Sequence, residues 1–166
     1  MRAFLSTVIL LISLSSTADA GPKEEALQVV EKWTNAFTNS DLDGIVKLHA
    51  ADAVMIGTGS KALIASPEGI RKYFEGVFRS GKYTPALGEH SVLHISDTTV
   101  VVTGFDTIVG VAADKPVNLA GRDTFVIVKR GADWQIVHFH RSATRTERQG
   151  RIVIRGPPVR DGIADT

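Results

Sequence analysis

Two kinds of side chain in this sequence could do chemistry. The first is a guanidinium. Arg141 lies near the end of the run Asp133-Trp134-Gln135-Ile136-Val137-His138-Phe139-His140-Arg141-Ser142, and an arginine held in a hollow recognises a carboxylate through parallel N–H donors. A buried guanidinium also requires a counter-charge, which Asp123 or Asp106 can supply from within the chain. Ligand contact and a structural ion pair are therefore equal readings of Arg141. The second kind is the acid–base set His49, Asp52, Tyr73, Asp106 and Asp123. Proton transfer needs a carboxylate or imidazole inside a cavity, with its pKa tuned and a donor opposite. No spacing here spells out such a constellation, so catalytic residues stay unassigned; an enzyme would use Asp106 or His49 as base. His138 and His140 share a strand face and could bind a metal with His90 or His94 as third ligand. No acidic ligand is set by spacing, so hydrogen bonding at an interface is preferred and no metal is expected.

The elements that must position these groups follow from periodicity. Ala26, Leu27, Val30, Trp33, Ala36 and Phe37 recur at helical spacing, which predicts a helix over Lys23–Asn39 with Glu24 and Glu25 in its first turn. Asp41 caps a short second helix, Leu42–His49, and Ala53–Ile56 is a short strand. Ser66-Pro67-Glu68 starts a third helix, with Ile70, Tyr73, Phe74, Val77 and Phe78 on one face and Gly81 at its end. From Tyr83 onward the chain is rich in Val, Ile, Thr and Phe. Four strands are predicted: Ser91–Ile95, Thr98–Val111, Val117–Arg130 and Trp134–Thr144. Asp114-Lys115-Pro116 and Arg130-Gly131-Ala132-Asp133 are the turns of an antiparallel meander.

Composition excludes several classes. The chain has 166 residues with a net charge of +1, which argues against a nucleic-acid binder. With no cysteine, a disulfide framework, a thiolate metal site and a cysteine nucleophile are all excluded. No GxGxxG fingerprint is present, so no nucleotide cofactor, and no other cofactor, is expected. Met1-Arg2, the apolar run from Phe4 to Leu14 and the Ala18-Asp19-Ala20 site read as a cleavable signal peptide over residues 1–20. This implies a periplasmic or secreted protein with no membrane attachment after cleavage. Residues 21–149 form one domain. Residues 150–166 form a tail, in which Ile152–Ile154 could add an edge strand.

The element order resembles the nuclear-transport-factor-2-like superfamily, which includes ketosteroid isomerase and SnoaL-like cyclases. The Trp-x-x-Val-His-Phe-His-Arg-Ser pattern over Trp134–Ser142 is similar to the last strand of the association (hub) domain of calcium/calmodulin-dependent protein kinase II. Gly121–Arg130 is closer to the bacterial SgcJ/EcaC-type members. The resemblance covers about residues 23–146 and implies an α+β, cone-shaped, cystatin-like fold: a curved antiparallel sheet wrapped around an N-terminal helix. It also implies self-assembly and a pocket lined by arginines that takes small carboxylates. The final-strand arginine of that pocket corresponds to Arg141. Ungapped alignment on the two preceding strands puts Phe105 and Phe125 where further arginines would stand.

Strand parity adds a separate expectation. Gln135, Val137, Phe139 and Arg141 share one face, and Ile136, His138, His140 and Ser142 share the other. With Arg141 inward, Phe105, Phe125 and Phe139 join it. Arg122, Thr124, Val126, Val128 and Ile136 then lie on a convex face that is apolar enough to pair with a second copy. The expected function is a dimerising domain that binds a small, mostly apolar carboxylate. Arg141, Phe105, Phe125, Phe139, Trp33 and Tyr73 would form its site, and the partner would be the chain itself. The alternatives are a SnoaL- or ketosteroid-isomerase-like enzyme and an oligomerisation scaffold without a ligand.

Overall fold

The structure is a computed structural model that describes residues 21–144. The expected signal peptide and the tail from Gly150 lie outside the described residues. Three helices precede the long strands. Helix α1 spans Pro22–Thr38, α2 Leu42–Leu48 and α3 Pro67–Ser80. The expected caps are formed: Asp41 accepts from the Gly44 amide at 2.9 Å, and the Ser66 hydroxyl accepts from the Gly69 amide at 3.1 Å. Each satisfies an amide that a helix start otherwise leaves unpaired. No helix among the described residues is long and apolar enough to cross a membrane.

Five strands form one curved, mixed sheet in the order β1-β5-β4-β3-β2. They are β1 His49–Ile56, β2 Lys82–Ser96, β3 Thr99–Ala112, β4 Lys115–Arg130 and β5 Asp133–Ala143. Strands β2 to β5 make the antiparallel meander, and β1 runs parallel to β5 at the edge. The edge of β1 is partly covered, because Met55 and Ile64 exchange backbone hydrogen bonds of 2.7 and 3.0 Å. The β3–β4 turn is Ala113-Asp114, two residues that both adopt positive φ, rather than Asp114-Lys115-Pro116. This geometry matches the twist of the flanking strands.

Besides the turn, four expectations need correction. Strand β1 begins at His49 rather than Ala53, so His49 opens the strand instead of ending α2. Strand β2 is 15 residues long, not the five of Ser91–Ile95. Pro85 and Gly88 hide its first half, but an edge strand tolerates proline, and the pairing with β3 shifts register between Leu87 and His90. Ile136 is fully buried inside the hollow instead of lying on the convex face. Val126 pairs with His138 while Ile127 pairs with Ile136. The bulge at Val137 thus flips the parity of the strand's first half. Phe105 is on the outer face, 54% exposed. It stands opposite Arg122, whereas inward Phe125 stands opposite Val102.

The core fills the concave side. Helix α1 contributes Ala26, Val30, Trp33 and Phe37, and the sheet contributes Val100, Val102, Phe125, Ile127, Ile136 and Phe139. Aromatic rings dominate this contact. Trp33 lies 5.0 Å from Phe139 and 5.3 Å from Phe125, and those two phenylalanines are 4.8 Å apart, ring centre to ring centre. Rings of this size bury 150–250 Å² each, by general estimate, and prefer such tilted contacts. At the rim, Glu25 accepts from both Lys129 and the Trp134 indole, tying α1 to β4 and β5.

Candidate functional site

Between α1, α3 and the far end of the sheet lies a cavity of about 300 Å³. Helix α1 contributes Trp33 and Phe37, and α3 contributes Tyr73, Phe74 and Val77. Ile108, Val117, Leu119 and Phe139 form the sheet wall. The polar end consists of Arg141 and the loop residues Thr58 and Gly59 after β1. Parity within β5 places Phe139 and Arg141 on the same side, two residues apart.

The Arg141 side chain is 4% exposed, and its donors are largely engaged. Nε donates to Asp106 Oδ2 at 2.6 Å, one terminal nitrogen to Thr58 Oγ1 at 2.8 Å, and the other to the Leu119 carbonyl at 2.8 Å. A guanidinium carries five N–H groups. One donor remains on each terminal nitrogen, and Asp106 already balances the charge. Tyr73 stands nearby. Burial raises its pKa above the ordinary value of 10.0, outweighing the opposing pull of the Gly59 and Thr58 backbone and of Arg141. Its phenol therefore stays protonated and can donate.

The structure brings four of the expected site residues to this cavity: Arg141, Phe139, Trp33 and Tyr73. Phe125 lies one layer behind, packed on Trp33 and Phe139. Phe105 points away on the other side of the sheet. Sequence reasoning missed Thr58 as a partner of Arg141: Gly57-Thr58-Gly59 reads only as a turn that ends β1, and nothing in it signals a contact with β5. Leu119 was missed too, because only folding brings its carbonyl to Arg141.

The acid–base candidates are elsewhere. Asp52 forms an exposed bidentate pair with Arg130 at 2.6 and 3.0 Å, and these bonds hold its carboxyl below the usual range. His49 is buried as the first residue of β1, where its Nδ1 bonds the Ile45 carbonyl of α2 at 2.8 Å. Burial lowers its pKa below 6.5. Asp123 pairs with His90 at 2.9 Å, and burial pushes its carboxyl up. Among the described residues, no carboxylate or imidazole lines the cavity. His138 and His140 lie on the outer face, opposite Val126 and Thr124. No group of three metal-ligating side chains occurs among the described residues.

Three helices against one face of a strongly curved sheet, with a cavity at the open end, define a cone-shaped α+β domain. Residues 26–146 match the SnoaL-like domain family, and the chain belongs to it. Among solved structures, a candidate calcium/calmodulin dependent protein kinase II association domain from Xanthomonas campestris is 26% identical. It aligns with a TM-score of 0.70 over 87% of this chain and 98% of that one. A ketosteroid isomerase-like protein from Erwinia carotovora atroseptica shares 16% identity, with a TM-score of 0.64 over 75% of this chain and 97% of that one. An NTF2-like protein with a cystatin-like fold from Novosphingobium aromaticivorans shares 12% identity, with a TM-score of 0.62 over 74% and 81% of the two chains. The last two show the fold alone.

Proposed function

We propose that this domain binds a small, mostly apolar molecule, aromatic ring inward, through one oxygen acceptor at the end formed by Arg141, Thr58 and Tyr73. The observation that carries this reading is the aromatic-walled cavity of about 300 Å³ ending in a buried guanidinium with donors to spare. That volume is at the small end of ligand pockets. Because Asp106 neutralises Arg141, the best-matched acceptor is a neutral carbonyl. A carboxylate offers the same kind of oxygen acceptor with a negative charge, and gains less here than it would from an unpaired guanidinium. Binding is favoured over isomerase-type catalysis because the cavity offers donors but no base among the described residues.

The test uses 3-phenylpropionamide and 3-phenylpropionate as an isosteric neutral and charged pair. Titration should change the fluorescence of Trp33 and shift NMR signals of Val77, Leu119 and Ile108. Val77→Trp, which fills the cavity, should abolish both effects. A panel of small aromatic carbonyls that perturbs none of these residues would refute the reading.

The same proposal includes export directed by residues 1–20 and pairing of two copies through the convex face. The support for pairing is an outward cross-strand row, Leu93, Val101 and Val126, with exposed Phe105 and Val109 further along the same face of β3. Light scattering should report a dimer, and Val126→Glu should give a monomer; a monomeric parent chain at high concentration contradicts the pairing.

A further inference from the structure

A line of charged groups runs across the concave face and meets the cavity only at Arg141; His90, Asp106 and Asp123 stand behind it without lining the cavity. His90 on β2 stands opposite Gly104 on β3, Gly104 opposite Asp123 on β4, and Asp123 opposite Arg141 on β5. Asp106 and Gly121 form the neighbouring rung. Two glycines make the contacts possible. A Cβ on Gly104 would sit 2.8 Å from the His90 ring, and its absence lets the imidazole reach over β3 to Asp123. A Cβ on Gly121 would sit 2.5 Å from both Arg141 Nη2 and Asp106 Oδ1, and its absence lets Arg141 reach over β4 to Asp106. Each ion pair thus spans a strand that carries no side chain at the crossing.

The His90 contacts set a proton count. Nδ1 lies 2.9 Å from the Gly88 carbonyl oxygen, which can only accept, and Nε2 lies 2.9 Å from Asp123 Oδ1. A neutral imidazole has a single N–H. Satisfying both acceptors requires one more proton, held between Nε2 and the carboxyl. With that proton the His90–Asp123 pair has no net charge, and neither has Asp106–Arg141. Without it, the ladder carries one uncompensated negative charge directly opposite Arg141. The charged groups facing Asp123 are His90 from β2, Asp106 from β3 and Arg141 from β5. Burial raises the Asp123 pKa, in keeping with a carboxyl that shares a proton.

We propose that His90 and Asp123 are positioning residues that set the charge accepted at the Arg141 end of the cavity, their shared proton keeping the four-group ladder neutral. This rests on the reading of that cavity as a ligand site. Neither residue touches the ligand; both act through the net charge they place beside Arg141. Loss of the proton adds a negative charge that repels a carboxylate and leaves a neutral carbonyl almost unaffected.

The experiment compares 3-phenylpropionate with 3-phenylpropionamide on the wild type, H90Q and H90Q/D123N at one neutral pH. Glutamine keeps a donor to Asp123 but brings no charge, so H90Q should lower the carboxylate-to-amide affinity ratio on the order of tenfold, the scale of one unit charge about 10 Å away in protein. The double variant is neutral again and should return to the wild-type ratio, which repair of a merely structural defect would not do. A ratio unchanged in H90Q, or not restored in the double variant, overturns the proposal. Independently of any ligand, nitrogen and carboxyl NMR shifts of the wild type should count one proton more on the pair than a neutral imidazole beside a carboxylate. The lower count also overturns it. If neither compound binds the wild type, the cavity reading falls and the proton count alone decides the charge-balancing role.

Discussion

Replacing Asp106 by alanine leaves the Arg141 guanidinium in the hollow of the sheet with no counter-charge. Both side chains of this pair are 4% exposed, and the bond between them is 2.6 Å. Removing one partner of a buried pair costs about 3–5 kcal/mol, because a desolvated charge is left unpaired. Two observations favour the lower end of that range. Arg141 keeps its bonds to Thr58 and Leu119, and Asp106 Oδ1 is itself buried without a partner, so its removal relieves a penalty. For a domain of about 125 residues, with an unfolding entropy near 2.1 cal/mol/K per residue, 3 kcal/mol corresponds to a fall in Tm of roughly 11 °C. Thermal unfolding followed by circular dichroism, with calorimetry to check two-state behaviour, measures it. Asp106→Leu with Arg141→Met removes both charges and should recover most of the loss. A fall of under about 3 °C in Asp106→Ala, or a double variant no more stable than the single, would show that the pair is not the buried electrostatic contact described here.

Three further outcomes follow from the same structure. The His49 pKa is lowered by burial from an ordinary value of 6.5, so the unfolded chain takes up a proton at higher pH than the folded one. Its contribution is fully present above about pH 6.5 and is lost as the pH falls from there through the folded pKa; His49→Phe should flatten this part of the urea-midpoint profile, and an unaltered slope would remove His49 as the cause. Phe125→Ala should cost about 3–5 kcal/mol, because the ring is fully buried against Trp33 and Phe139. Phe105→Ala should stay within about 0.5 kcal/mol in dilute solution, where the outer face is unpaired; equal losses in denaturant titrations would contradict the opposite-face assignment.

Much of the scaffold was legible because its signals are local. The Asp41 and Ser66 caps, the apolar faces of α1 and α3, and β3 to β5 to within two residues follow from side-chain periodicity and turn chemistry. Alternation also put Phe139 and Arg141 together on one face. Alternation failed where the strand is irregular: the bulge at Val137 turned Ile136 inward, against simple period-two counting. Phe105 was misplaced for a different reason, having been set by alignment rather than by pairing. Only the cross-strand register with β4 shows that residues 105 and 125 face opposite ways.

By itself, then, the sequence determined which segments become helix or strand, the ends of α1, α3 and β3 to β5 but not those of β1 and β2, and that one arginine shares a strand face with an aromatic ring. It also narrowed the partner of that arginine to Asp106 or Asp123. The tertiary structure decided between them: the bare backbone at Gly121 opens a path from β5 to β3, so Arg141 takes Asp106, and Asp123 takes His90. The parallel docking of β1 against β5, and with it the approach of Thr58 to Arg141, was decided at the same level. The physical reason is that periodicity and capping act over a few neighbouring residues. Register, strand crossing and charge pairing depend on which distant backbones lie within hydrogen-bonding reach, and only the folded sheet sets that.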